Sequence, residues 1–205
     1  MIPAAKPLIG DDERAAVDKV LRSGMLAQGP EVAAFEEEFS KFVGGRHCVA
    51  MNSGTSALHL GFIAGGIKPG DEVIVPSFSF AATANSVVLA GGVPVFADID
   101  PKTFNIDPNH VEKLITKKTK AIMPVHLYGH IAPMNEINAI AEKHNLIVFE
   151  DAAQGHLASL DGKNSGEFSS VASFSFYPTK NMTSGEGGMC VTDSPDIAQI
   201  GRAHV

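Results

Sequence analysis

Apolar positions recur at helical spacing twice near the start of the chain, then gather into short runs separated by further helical stretches. Between Asp11 and Leu21, the residues Ala15, Ala16, Val17, Val20 and Leu21 share one helical face. Asp11 or Asp12 could cap that helix. A second helix is expected from Pro30 to Phe42, with Val32, Phe35, Phe39 and Phe42 on its face and Gly44-Gly45 as its stop. From there the pattern alternates. His47 to Met51 reads as a strand and Thr55 to Ala64 as a helix; Glu72 to Val75 as a strand and Phe80 to Leu89 as a helix. Val93 to Ala97 is a strand, Pro108 to Ile115 a helix opened by Asp107, Lys120 to Val125 a strand, Met134 to His144 a helix, and Leu146 to Phe149 a strand ending in Glu150-Asp151.

Short apolar strands alternating with helices of about ten residues predict βαβ units, hence an α/β fold of three layers with a mostly parallel sheet. Such sheets collect ligands at the carboxyl ends of their strands. Beyond Asp151 the rhythm changes. Val171 to Phe176 and Met189 to Thr192 are strand-like with no helix between them, only a loop of small residues with Lys180 near its middle. No internal repeat and no low-complexity linker interrupts the chain.

Composition narrows the function classes. The 205 residues are 44% hydrophobic and 19% charged, which argues against disorder or a fibre. The net charge is −7 and no basic run occurs, so nucleic acid is not an expected partner. No apolar run approaches membrane-spanning length, and the start, Met1 to Lys6, does not read as a signal peptide. A cytoplasmic protein without a membrane partner is expected. Cys48 and Cys190 lie far apart in short apolar stretches and read as buried reduced thiols. Asn181-Met182-Thr183 matches a glycosylation acceptor, an accidental match in that compartment.

Several residues invite a chemical reading beside a structural one. Asn52-Ser53-Gly54-Thr55-Ser56-Ala57 joins a strand to a helix. It is either an ordinary N-cap by Ser53 or Thr55, or a cup of free amides and hydroxyls that suits a phosphate. Asp151 either caps the turn that follows or accepts a ligand N–H. Lys180 is either a solvated lysine or the amine of a Schiff base, and the glycines after it permit close backbone approach. Phe78 and Phe80 either pack in the core or plate a flat ring. His126 and His130 are four apart, but Tyr128-Gly129 between them and the lack of a third ligand nearby count against a metal.

Taken in order, the segments resemble one family. They are Ser23-Gly24 with Gly29-Pro30-Glu31-Val32 and Phe35-Glu36; Asn52 to Leu58; Pro69 to Phe78; Ala82-Thr83-Ala84-Asn85; Pro94-Val95-Phe96; Asp98-Ile99-Asp100; Glu150 to Gly155; Ser173 to Asn181; and Gly185-Glu186-Gly187-Gly188. They resemble the DegT/DnrJ/EryC1/StrS sugar aminotransferases, pyridoxal 5′-phosphate (PLP) enzymes of fold type I, over nearly the whole chain.

The resemblance implies roles. Lys180 would hold the cofactor and shuttle a proton between substrate and cofactor, and Asp151 would pair with the pyridinium nitrogen. Gln154 would sit near the ring's 3-oxygen, Phe80 would stack on the ring, and Thr55, Ser56 and Ser175 would bind the phosphate with Gly54 giving backbone access. It also implies pyridoxamine phosphate as the intermediate cofactor form, glutamate as donor, a nucleotide-linked keto sugar as acceptor, and a homodimer. The alternatives are an inactive or regulatory member of the same fold, or another fold type I branch. A related dehydratase branch carries histidine at the lysine position, and Lys180 argues against it. Many relatives carry an aromatic after Ser23-Gly24, where this chain has Met25. The expected organisation is an N-terminal helix and substrate-side loop over 1–29 and a PLP-binding large domain over 30–205. The family's C-terminal small domain is expected to lie outside the chain.

Overall fold

A computed structural model describes residues 5–203. Met1 to Ala4, part of the stretch read against a signal peptide, and Val205, the last residue of the expected large domain, lie outside the described residues. Two helices open the chain, α1 (Asp11–Ser23) and α2 (Pro30–Ser40), followed by β1 (His47–Met51) and α3 (Gly54–Ala64). Then come β2 (Glu72–Pro76), α4 (Ala82–Leu89), β3 (Val93–Ala97), α5 (Pro108–Leu114), β4 (Thr119–Ile122), α6 (Met134–His144) and β5 (Ile147–Asp151). A small hairpin of β6 (Ser159–Leu160) and β7 (Lys163–Asn164) precedes β8 (Val171–Ser175), β9 (Gly188–Thr192) and α7 (Pro195–Ala203).

Seven strands form one sheet in the order β1-β9-β8-β5-β4-β2-β3. The pairs β2–β3, β2–β4, β4–β5 and β5–β8 are parallel, whereas β9 is antiparallel to both β8 and β1. Six strands therefore point one way and β9 alone runs against them. The carboxyl ends of β1, β2, β5 and β8 share one edge of the sheet, and β9 starts there. β8 and β9 are buried at every position, which is what an interior pair of strands covered on both faces requires. One apolar layer lies beneath α3 and α4, built on Phe62, Phe149, Val73 and Val75. Another lies beneath α5 and α6, built on Ile74, Ile122, Met134 and Ile137. A third joins α2 to β8 and β9 through edge-to-face contacts of Phe39 with Phe174 and Phe176, ring centroids 5.0 and 5.7 Å apart.

The structure departs from the sequence pattern at element ends. Gly10, in extended conformation, caps α1, and its N–H donates to Glu13 Oε2 at 2.6 Å. Asp11 and Asp12 are not the cap; they fall inside the first turn, where a carboxylate favours the helix dipole. α2 stops at Ser40, two residues short of Phe42, which is left 46% exposed. α4 starts at Ala82, so Phe80 precedes the helix. β4 ends at Ile122 and not at Val125, because Pro124 brings no N–H to the ladder; pairing resumes in the single bridge Val125–Asp151.

Candidate active site

The chain turns from β1 into α3 at Ser53, whose Oγ accepts the Ser56 N–H at 3.1 Å. This fixes the first turn of α3 and leaves the Gly54 and Thr55 amides at its open end, free of helical acceptors. Gly54 is needed for close approach: a Cβ there would lie 2.6 Å from the Ser175 Cβ at the end of β8. The Ser175 hydroxyl is thereby held against the start of α3.

Asp151 closes β5 and is 4% exposed. Thr83 of α4 donates to its Oδ2 at 2.8 Å and the Ala153 N–H to its Oδ1 at 3.2 Å. Burial pushes the carboxyl above its ordinary range, opposed by these two hydrogen bonds and, after them, by nearby Lys180 and His126. Main-chain bonds from His126 N–H to the Asp151 carbonyl and from Asp151 N–H to the Pro124 carbonyl, both 3.0 Å, lock the strand end. Next to it, Glu150 is fully buried and its two oxygens accept the N–H groups of Gly166 and Phe168 at 2.7 and 3.1 Å.

Lys180 lies in the loop between β8 and β9. That loop is tied to itself: Lys180 N–H donates to the Tyr177 carbonyl at 2.9 Å, and Thr183 Oγ1 and the Ser184 N–H donate to the Phe176 carbonyl at 2.8 and 3.1 Å. Among the described residues the Lys180 ammonium has no ion-pair or hydrogen-bond partner within reach, while its charge acts on Asp151 and on His156.

These pieces enclose one cavity of about 500 Å³. Gly54, Thr55 and Ser175 line one part of its wall, Phe80 another, and Asp151, Gln154 and Lys180 the rest. Seven of the eight residues singled out for the cofactor are thus brought together. Ser56 is not among them: its hydroxyl donates to Asn52 Oδ1 at 2.6 Å and its amide is taken by Ser53. The Gln154 side chain accepts the Tyr128 N–H through Oε1 at 2.6 Å. Phe80 is 74% exposed at the cavity mouth. Ser53, Ser79, Tyr177, Thr179 and Glu186 also line the cavity, and Thr83 backs it. Sequence reasoning gave Thr83 no role; the fold places it on the buried face of α4 beside Ala82, Ser86 and Val87.

The donor set fits PLP. A helix start with a glycine that excludes any side chain suits a phosphate. A buried carboxylate with one donor on each oxygen suits a protonated ring nitrogen, a lysine without an ion-pair partner suits a covalent link, and an exposed phenyl suits a ring face. The metal reading of His126 and His130 finds no such set. His126 is fully buried with Nδ1 accepting the Ala132 N–H, and among the described residues no three His, Cys, Asp or Glu side chains cluster. A larger open groove of about 960 Å³ between α5 and α6 holds neither Asp151 nor Lys180.

The chain is similar to known proteins over nearly its whole length. The model of the DegT/DnrJ/EryC1/StrS aminotransferase family matches residues 7–204. The spore coat polysaccharide biosynthesis protein SpsC of Bacillus subtilis is 47% identical over 197 residues, covering 96% of this chain and 51% of that protein. The GDP-perosamine synthase of Caulobacter vibrioides is 47% identical over 198 residues, covering 96% of this chain and 53% of that protein. The crystal structure of NtdA from Bacillus subtilis with bound cofactor PMP is 39% identical, with a TM-score of 0.88 over 98% of this chain and 48% of that one. The chain spans about half the length of the curated relatives it matches. This chain belongs to the DegT/DnrJ/EryC1/StrS aminotransferase family.

Proposed function

We propose that the chain forms the cofactor-binding part of a PLP-dependent aminotransferase that moves an amino group from glutamate to a nucleotide-linked keto sugar. The observation that carries the reading is the single cavity in which Asp151 and Lys180 face the open end of α3. PLP, when bound, supplies an electron sink for reactions at the substrate's amine-bearing carbon. The protein's residues do the rest. The Gly54 and Thr55 amides and the Ser175 hydroxyl orient the phosphate. Asp151 holds a proton on the ring nitrogen. Lys180 Nζ would hold the cofactor covalently and would carry a proton at the substrate carbon. Phe80 would cover one face of the ring, and Gln154 would sit near its 3-oxygen.

The acceptor class draws support from the GDP-perosamine synthase relative, and a role in polysaccharide formation from the spore coat relative. The resemblance in motifs supports glutamate, pyridoxamine phosphate as the second cofactor form, and pairing with a second copy. Among the described residues no helix is long and apolar enough to cross a membrane. In this reading residues 30–205 supply the large domain, and a small domain beyond the matched half completes the substrate site.

The test is a side-by-side assay of this chain and a version extended to the length of the relatives, each loaded with PLP. Both receive glutamate and a panel of nucleotide-linked keto sugars, and 2-oxoglutarate and aminated sugar are measured. Aminated sugar is expected from the extended version, with PLP binding but no turnover from the 205-residue chain. Failure of both to form aminated sugar would overturn the activity, and equal turnover from both would overturn the division of the site.

A further inference from the structure

We infer that Ser79 and Thr83 form a two-hydroxyl relay that holds Asp151 as a carboxylate aimed at its ligand, with Thr83 the positioning residue. The inference rests on the reading of Asp151 as the partner of a protonated ring nitrogen. The Thr83 side chain is 2% exposed, and its Oγ1 lies 2.8 Å from Asp151 Oδ2 and 2.8 Å from Ser79 Oγ. A threonine hydroxyl has one proton to give. With that proton directed at Asp151, Thr83 meets Ser79 only as an acceptor, so Ser79 must donate to it. The direction is therefore set: Ser79 to Thr83 to Asp151.

The relay joins three elements. Ser79 stands on the cavity wall in the turn before α4, Thr83 on the buried face of that helix, and Asp151 at the end of β5, 68 residues from Thr83. Oδ1 meanwhile accepts the Ala153 N–H. One donor on each oxygen fixes the carboxylate plane and stabilises the charged form, while burial works in the other direction. The other titratable groups that face Asp151 are Lys180, across the cavity, and His126, after β4. A neutral Asp151 could not keep a proton on a ring nitrogen, so the relay matters whenever the site is loaded.

The experiment follows the Asp151 carboxyl directly, in PLP-free protein with ¹³C-labelled aspartate, across pH. Asp151→Asn identifies its resonance. Thr83→Val keeps the shape of the side chain and removes the donor; it should move the Asp151 midpoint to higher pH, and Thr83→Ser should bring it back. Ser79→Ala, on the cavity wall, should move it in the same direction by less. PLP should also bind about tenfold more weakly to Thr83→Val, the effect of losing one hydrogen bond to a charged group. An Asp151 midpoint identical to wild type in the folded Thr83→Val protein would overturn the relay. If circular dichroism shows that Thr83→Val does not fold, Ser79→Ala decides by the same reading. A wild-type protein that binds no PLP would instead remove the cofactor reading, and the carboxyl titration would still judge the relay.

Discussion

Asp151 and His156 sit five residues apart and are both buried, yet burial acts on them with opposite consequences. For Asp151 two donors offset part of the loss of water, and burial still pushes the carboxyl up. His156 is 8% exposed, packs against Phe174 and Phe176 at centroid distances of 5.5 and 5.7 Å, and among the described residues neither ring nitrogen has a hydrogen-bond partner of good geometry. Burial, helped by the charge of Lys180 and opposed by the Ser175 backbone, lowers its pKa from 6.5 to about 4. The folded protein therefore resists a proton that the unfolded chain takes up between those values. Stability should hold above pH 6.5 and fall as the pH drops from 6.5 towards 4, with His156 accounting for on the order of 3 kcal/mol. Denaturant unfolding at a series of pH values should show a flatter slope over that window in His156→Leu, and an unchanged slope would contradict the account. The contrast also explains what was legible at this scale. Asp151 and Lys180 stood out because a carboxylate ending an apolar strand and a lysine before a glycine-rich stretch break their local patterns. Ser56 looked equal to Thr55, since composition does not say which hydroxyl the helix turns toward Asn52. Thr83 was one threonine among small residues, and its importance depends on a partner 68 positions away.

At the level of elements, contact between the start of α3 and the end of β8 sets the site. Gly54→Ala should push α3 away from Ser175, because the added carbon would lie 2.6 Å from the Ser175 Cβ. The expected cost is about 1–3 kcal/mol, the usual range for overpacking, read as a lower thermal midpoint together with weakened PLP binding. Wild-type stability and affinity in that variant would mean that the phosphate end lies elsewhere. Glu36 adds a second tie: it accepts the Ala50 N–H at 2.8 Å and a two-pronged contact from Arg202 at 2.8 and 3.3 Å, joining α2, β1 and α7. Period and turn residues revealed most helices and strands, because one-sided burial writes itself into spacing. The change of rhythm after Asp151 marked β8 and β9, which proved to be an antiparallel pair. The β6–β7 hairpin went unread although Asp161-Gly162, both at positive φ, carries its turn signal; two-residue strands leave no alternation to count. Helix α7 was missed, and with it the tie of Glu36 to Arg202, since an ion pair between distant elements has no local pattern.

Across the whole molecule, one reversed strand organises the chemistry. Because β9 alone runs against the sheet, the loop that leads into it returns to the edge where β1, β5 and β8 end, and so sets Lys180 against Asp151. The parallel core was readable from alternation, whereas strand order was not, since crossovers leave no trace in spacing. The thiols Cys48 and Cys190 belong to different apolar layers, and burial pushes both up to about 12, which suits structural and unreactive roles. The chain spans about half the length of its relatives, and no residue of α1 is buried among the described residues. The central claim is that Lys180 holds PLP in the cavity that Asp151 closes. Purified protein is incubated with PLP, reduced with borohydride, digested, and mapped by peptide mass. The account predicts a yellow protein whose fixed label lies on the peptide containing Lys180 and disappears in Lys180→Ala. A label on Lys163 or Lys143, or none at all, would contradict it.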